Sequence, residues 1–122
     1  MNIRIKTTSG YEMGEDVSDY IEDRMMAVRK HLGAANSVVR CEVEIGRVAG
    51  HSRHGENYFA EIQLVRPGEK LIRAVAQGET VQAAIDAVKD ETLALLRKEK
   101  TRTSLRLRRV SAQVKEWMRW GR

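Results

Sequence analysis

Apolar and polar positions alternate in four stretches of this chain and recur every three or four residues in two others. Ile3 and Ile5 share one side of residues 2–8, which predicts a short strand. From Glu15 to Leu32, Val17, Tyr20, Ile21, Met25, Val28 and Leu32 fall on one helical face. Glu15, Asp16 and Asp19 open that segment, Arg29, Lys30 and His31 close it, and Gly33 can end it. Carboxylates first and cations last is the order the helix dipole favours.

Residues 38–48 alternate next, with Val39, Cys41, Val43 and Ile45 on one side and Arg40, Glu42 and Glu44 on the other, as in a half-buried strand. Tyr58, Ala60, Ile62 and Leu64 mark a third strand over residues 58–65. Arg66-Pro67-Gly68-Glu69 is a turn signal, because proline presets φ and glycine tolerates a positive one. Ile72, Ala74 and Ala76 then mark a fourth strand over residues 70–76. From Gly78 to Arg102, Val81, Ala84, Ile85, Val88, Thr92, Leu95 and Leu96 form a second helical stripe, with Thr80 placed to cap it. Beyond Arg102 the pattern weakens, although Leu107, Val110, Val114, Trp117 and Met118 can form a second, shorter helical stripe.

The order β-α-β-β-β-α implies an α+β, two-layer sandwich, a four-stranded mixed sheet with both helices on one face. Strands joined through a helix pair in parallel by a right-handed crossover. The remaining strands form an antiparallel meander. The other sheet face, with Arg40, Glu42, Glu44, Glu61, Gln63 and Arg73, should be wet.

Composition changes this picture in one respect. The 122 residues suffice for a single domain, and no apolar run approaches the ~18 residues expected of a membrane span. The strand-like opening MNIRIK gives no expectation of a signal peptide, and a lone Cys41 fits a reducing cytoplasm. The net charge of +5, however, is unevenly spread: residues 1–96 carry 12 Lys or Arg against 15 Asp or Glu, and residues 97–122 carry 10 against 2. A localised cationic segment is a footprint for phosphates or anionic lipid, or simply a solvated tail.

Several stretches stand in the order and spacing of a known family. They are MNIRIKTT, Asp23-Arg24 in the first helix, VRCEVEIG (Val39 to Gly46), and the Gly- and His-rich loop before YFAEIQL (Tyr58 to Leu64). Ala83-Ala84-Ile85-Asp86 and Arg97-Lys98 complete the set, which covers about residues 1–102. The chain resembles the ribosome hibernation and translation-inhibition factors, called ribosome-associated inhibitor or hibernation-promoting factor. The resemblance implies a fold similar to double-stranded-RNA-binding domains, and binding in the small-subunit channel that holds messenger RNA and the anticodon ends of transfer RNA. It implies inhibition by occupancy, with no enzymatic activity and no cofactor. By position, Arg24, Lys30 and Lys98 match basic residues associated with ribosomal RNA contact. The chain departs from common family residues at Ala27, Glu91 and Ala94, where relatives often carry cations. The 20 residues after Arg102 are too few for the dimerisation domain of long-form members, so ribosome pairing by that route is not expected.

The candidate RNA contacts are Arg24, Arg29, Lys30, Arg97, Lys98, Lys100, Arg102, Arg106, Arg108 and Arg109. Phosphate binding needs cations on a surface that follows the backbone, and the alternative is a pair of solvated helix ends. His51, Arg53 and His54 can touch RNA from the loop or belong to a merely flexible one. Two histidines three apart lack the further ligands a metal needs, so no metal is expected. Cys41 reads as a core residue, and Asp16/Asp19 and Asp86/Asp90 as solvent-facing carboxylates. Met25 and Met26 read as packing. Trp117 and Trp120 admit three uses: stacking on ribosomal bases, contact with the domain or a protein, or a membrane surface, in that order.

Residues 1–102 are thus expected to be a ribosome-binding βαβββα domain and 103–122 a basic, Trp-containing tail. The expected partners are the small ribosomal subunit, its ribosomal RNA and the 70S ribosome, met in the cytoplasm by a protein that is monomeric off the ribosome and takes no small-molecule substrate. The alternatives are a general double-stranded or regulatory RNA binder, and a protein-interaction module.

Overall fold

The computed structural model describes residues 1–8, 10–48 and 57–120, and of 101–120 the backbone course alone. Its elements are β1 (Asn2–Thr8), α1 (Glu15–Leu32), a 3-10 turn (Gly33–Val38), β2 (Arg40–Arg47), β3 (Tyr58–Val65), β4 (Ile72–Gly78) and α2 (Val81–Trp120). The fold is α+β, with the four strands in the order β1-β2-β3-β4.

The alternation in the sequence sets the sheet's two faces. On the inner face Ile3 pairs with Cys41, Leu64 and Ile72 in one row, and Ile5 with Val43, Ile62 and Ala74 in the next. Val17, Ile21, Met25 and Val28 of α1 join Val81, Ala84, Ile85, Val88 and Leu96 of α2 over these rows in one core. Each fully buried Ile or Leu in such a core contributes about 1.5–3 kcal/mol. Thr92 is its one buried polar side chain among the described residues, and its hydroxyl donates to the Val88 carbonyl at 2.8 Å. Cys41 is fully buried, and desolvation pushes its thiol up to about 12, which leaves it a protonated core residue. Met25 is packed, but Met26 is 61% exposed, unlike the packing role expected for both.

Gly33 stops α1 with φ 61°, donating its N–H to the Arg29 carbonyl. The 3-10 turn that follows, with no apolar period, is absent from the sequence expectation and shortens β2 at its start. There the N-terminal ammonium donates to the Asn36 side chain, and the Asn2 N–H to the Val39 carbonyl at 3.0 Å. The Arg66–Glu69 turn closes with a 3.1 Å bond from the Glu69 N–H to the Arg66 carbonyl, and Gly68 takes φ 73°. Thr80 caps α2 by accepting from the Ala83 N–H at 3.0 Å. No helix boundary falls near Arg102: the backbone of α2 is helical for 40 residues, to Trp120. At 1.5 Å per residue that is about 60 Å.

Strand directions fix how the helices run. β1 and β2 are parallel, and two antiparallel steps return β4 to the same direction. Each helix doubles back on the strand before it, so α1 and α2 lie parallel, with the last turn of α1 and the Leu96–Lys100 turn of α2 at the same end of the sheet.

Candidate nucleic-acid interface

Parallel packing aligns the charges of the two helices. Glu15 to Asp23 holds five carboxylates and no Lys or Arg, whereas Arg24 to His31 holds three cations, a histidine and no carboxylate. In α2, Asp86, Asp90 and Glu91 precede Arg97, Lys98 and Lys100. The helix pair is therefore acidic at one end and basic at the other. The dipole of α1, which ends at Leu32, adds partial negative charge that steadies Arg29 and Lys30, whereas Arg97, Lys98 and Lys100 stand mid-helix in α2.

The basic end is real, but its members do different things. His31 lies at the seam between the helices: its pKa is lowered first by desolvation and then by Lys100 and Arg97 of α2. His31, Leu32, Val38, Arg66, Leu96 and Lys100 line one groove there. At about 100° per residue, Lys30 points outward from the helix layer, and Lys98 lies on the side of α2 away from α1. Both are exposed, as are Arg97 and Lys100. Arg29 sits on the far flank of α1, where its Nη2 is 3.2 Å from Glu22 Oε2 and donates to the Met1 carbonyl at 3.4 Å. Thus Lys30, Arg97, Lys98 and Lys100 share an end without sharing one groove.

Arg24 is apart from that group. It stands mid-helix, its guanidinium 4.6 Å from the Tyr20 ring centroid, its Nη1 3.3 Å from Asp23 Oδ2, and its Nε 3.1 Å from Asp86 Oδ1. The last contact is an ion pair whose angle is not that of a hydrogen bond. The Tyr20 hydroxyl lies 2.8 Å from both Asp86 oxygens and donates to that carboxylate. Tyr20 first, and then Asp86 and Asp23, raise the Arg24 pKa above its ordinary value against desolvation. Asp86 is consequently an interhelix partner as well as a partly solvent-facing carboxylate, its side chain 45% exposed, while Asp16 and Asp19 are exposed and Asp90 meets Lys89 at 3.0 Å. Nothing local in the sequence marks this contact, because its partners are 66 residues apart.

The outer sheet face is mixed. Arg73 Nε donates to Glu61 Oε1 at 2.8 Å, Gln63 donates to the same oxygen at 2.8 Å, and Arg40 lies 3.8 Å from Glu42. At the acidic end, Arg47 stands 5.7 Å from the Tyr58 ring centroid, a pairing that the sequence pattern did not suggest. His51, Arg53 and His54 lie outside the described residues. So do the side chains of Arg102, Arg106, Arg108, Arg109, Trp117 and Trp120, whose backbone belongs to α2. Among the described residues no helix is long and apolar enough to cross a membrane, and no three His, Cys, Asp or Glu are grouped as metal ligands.

Comparison with known proteins agrees with this fold. Residues 3–104 match the family described as sigma 54 modulation protein / S30EA ribosomal protein, and the chain belongs to that family, the ribosome-hibernation group it resembles. The N-terminal domain of Protein Y from Thermus thermophilus superposes with a TM-score of 0.62 at 23% identity, over 80% of this chain and 98% of that one. A ribosomal subunit interface protein from Coxiella burnetii gives 0.63 at 13% identity, over 83% and 99%. At these identities the likeness concerns the fold. A search of curated protein sequences returns no significant match.

Proposed function

We propose that this protein binds the small ribosomal subunit and the 70S ribosome and inhibits translation by occupying the decoding channel. The observation that carries the proposal is the parallel helix pair, which gathers Lys30, Arg97, Lys98 and Lys100 at one end of a compact body. Cations so gathered neutralise phosphates of folded RNA and release counterions, and the affinity they provide carries little sequence information. Family membership supplies the class of RNA, that of the ribosome.

The mechanism is steric. The body formed by residues 1–102 lodges against ribosomal RNA, and messenger and transfer RNA lose the space they need. Arg102, Arg106, Arg108 and Arg109 of the basic extension add phosphate contacts, Trp117 and Trp120 stack or dock at its end, and His51, Arg53 and His54 touch RNA from the loop. Inhibition by occupancy needs no cofactor and no reacting group, and the protein acts in the cytoplasm as a monomer until it meets a ribosome.

Sedimentation with purified ribosomes tests this reading. The protein should travel with small subunits and 70S particles, and its release should steepen with salt. Free duplex RNA competing as well as ribosomes would replace the proposal with general RNA binding. Pelleting with neither would favour the protein-interaction role that the sigma 54 half of the family description suggests.

A further inference from the structure

Near the start of α2 the helix pair holds a set of contacts that phosphate binding does not use. Asp86 of α2 takes the Tyr20 hydroxyl at 2.8 Å and Arg24 Nε at 3.1 Å, both from α1, and the Arg24 guanidinium also lies over the Tyr20 ring. Asp23 holds the other side of the guanidinium at 3.3 Å. A phosphate approaching Arg24 would meet two carboxylates already on it, with Asp19 and Asp90 exposed nearby along the helices. Its charge is compensated where it stands.

The Tyr20–Asp86 hydrogen bond is directional in a way the apolar seam is not. Burial rewards area and tolerates small slides, whereas a hydrogen bond weakens steeply with distance and angle. Displacing α1 along α2 by one turn, about 5.4 Å, would break every contact to Asp86. Lys30 and His31 lie farther along α1, and Arg97 and Lys100 farther along α2, so their relative height depends on the register of the two helices.

We propose that Arg24 is a positioning residue: with Tyr20 it clasps Asp86 and sets the register of the two cationic helix ends, and it is not itself a phosphate contact. The proposal rests on the ribosome-binding reading for its consequence and on the helix contacts alone for its structural part.

Small subunits are titrated with the wild type, Arg24→Gln, Asp86→Asn and Tyr20→Phe over a series of salt concentrations. Each variant should bind roughly three- to tenfold more weakly, the effect of losing one positioned polar contact, with the slope of log affinity against log salt unchanged. If Arg24 instead touched phosphate, Arg24→Gln would lower that slope by about 0.7–0.9. Asp86→Asn would then strengthen binding, because it frees a cation and removes an anion. Either result overturns the proposal, as does unaltered affinity in all three variants. Thermal denaturation of Tyr20→Phe, Asp86→Asn and the double variant forms a second arm that needs no ribosome. The double variant should lose less than the sum of the single losses, and additive losses would overturn the clasp. A wild-type protein that ignores ribosomes would end the functional reading, and the denaturation arm would still decide the clasp.

Discussion

The Tyr20 hydroxyl on α1 sits 2.8 Å from each carboxylate oxygen of Asp86 on α2, a contact between residues 66 positions apart. It lies in the second turn of each helix, and farther along both His31 of α1 feels the charges of Lys100 and Arg97 of α2. Two such points, in the same order along both helices, express the parallel packing that the strand order demands. That packing turns two ordinary amphipathic helices, each acidic first and basic last, into one body with a single cationic end.

The exposed cations of that end should act through charge. Lys30→Glu with Lys98→Glu should weaken binding to small subunits by tenfold or more while shifting the melting temperature little. Both side chains are exposed, and surface substitutions typically change stability by only about 0.5 kcal/mol. Co-sedimentation over a salt series and a thermal melt provide the two readouts, and unchanged co-sedimentation would remove these residues from the interface.

His31 reports on the seam. Desolvation, Lys100 and Arg97 all lower its pKa below 6.5, so Lys100→Ala should let it rise toward that value. The folded state then binds a proton less readily than the unfolded chain, so this group costs stability as pH falls through the unfolded pKa. A proton-NMR titration of the His31 ring in both proteins measures the shift, and an identical midpoint would separate Lys100 from the seam.

Glu61 is tuned in the opposite sense on the outer sheet face. Arg73 first and Gln63 second hold its pKa below the ordinary carboxylate value. The stabilisation is present above the unfolded pKa and lost as pH falls through the folded one. Arg73→Gln should therefore reduce stability slightly at neutral pH, because water screens the pair, with the difference fading in acid. Urea denaturation at a series of pH values checks the convergence.

Gly46, near the end of the inner strand β2, leaves room for its neighbours. A Cβ there would stand 2.7 Å from the Phe59 ring and 2.8 Å from the Thr8 carbonyl oxygen. Backbone cannot swing aside as a side chain can. Gly46→Ala should destabilise the protein by about 1–3 kcal/mol, measured as a lower denaturation midpoint at unchanged slope.

Much of this fold was legible because its elements are one-sided. Cys41, Val43 and Ile45 announce β2 by a strict period of two, and Val17, Ile21, Met25 and Val28 announce α1 by the helical period, to the same limits that the backbone takes. The Gly33–Val38 turn was not legible, since GAANSV carries no apolar repeat. The continuation of α2 past Arg102 was obscured because its apolar spacing thins among arginines, although nothing there forbids a helix. The cationic candidates could be read from charge alone. Which of them is already engaged could not: Arg24 and Arg29 differ from Lys30 through partners supplied by folding, Asp86 from another helix and Met1 from the segment just ahead of β1.

The most direct test of the account is chemical footprinting of small-subunit ribosomal RNA with and without the protein, with messenger and transfer RNA binding measured on the same particles. Protection in the decoding channel, lost with Lys30→Glu/Lys98→Glu and accompanied by displacement of both RNAs, is the predicted result. Protection confined to another surface, with messenger and transfer RNA still bound, would contradict it.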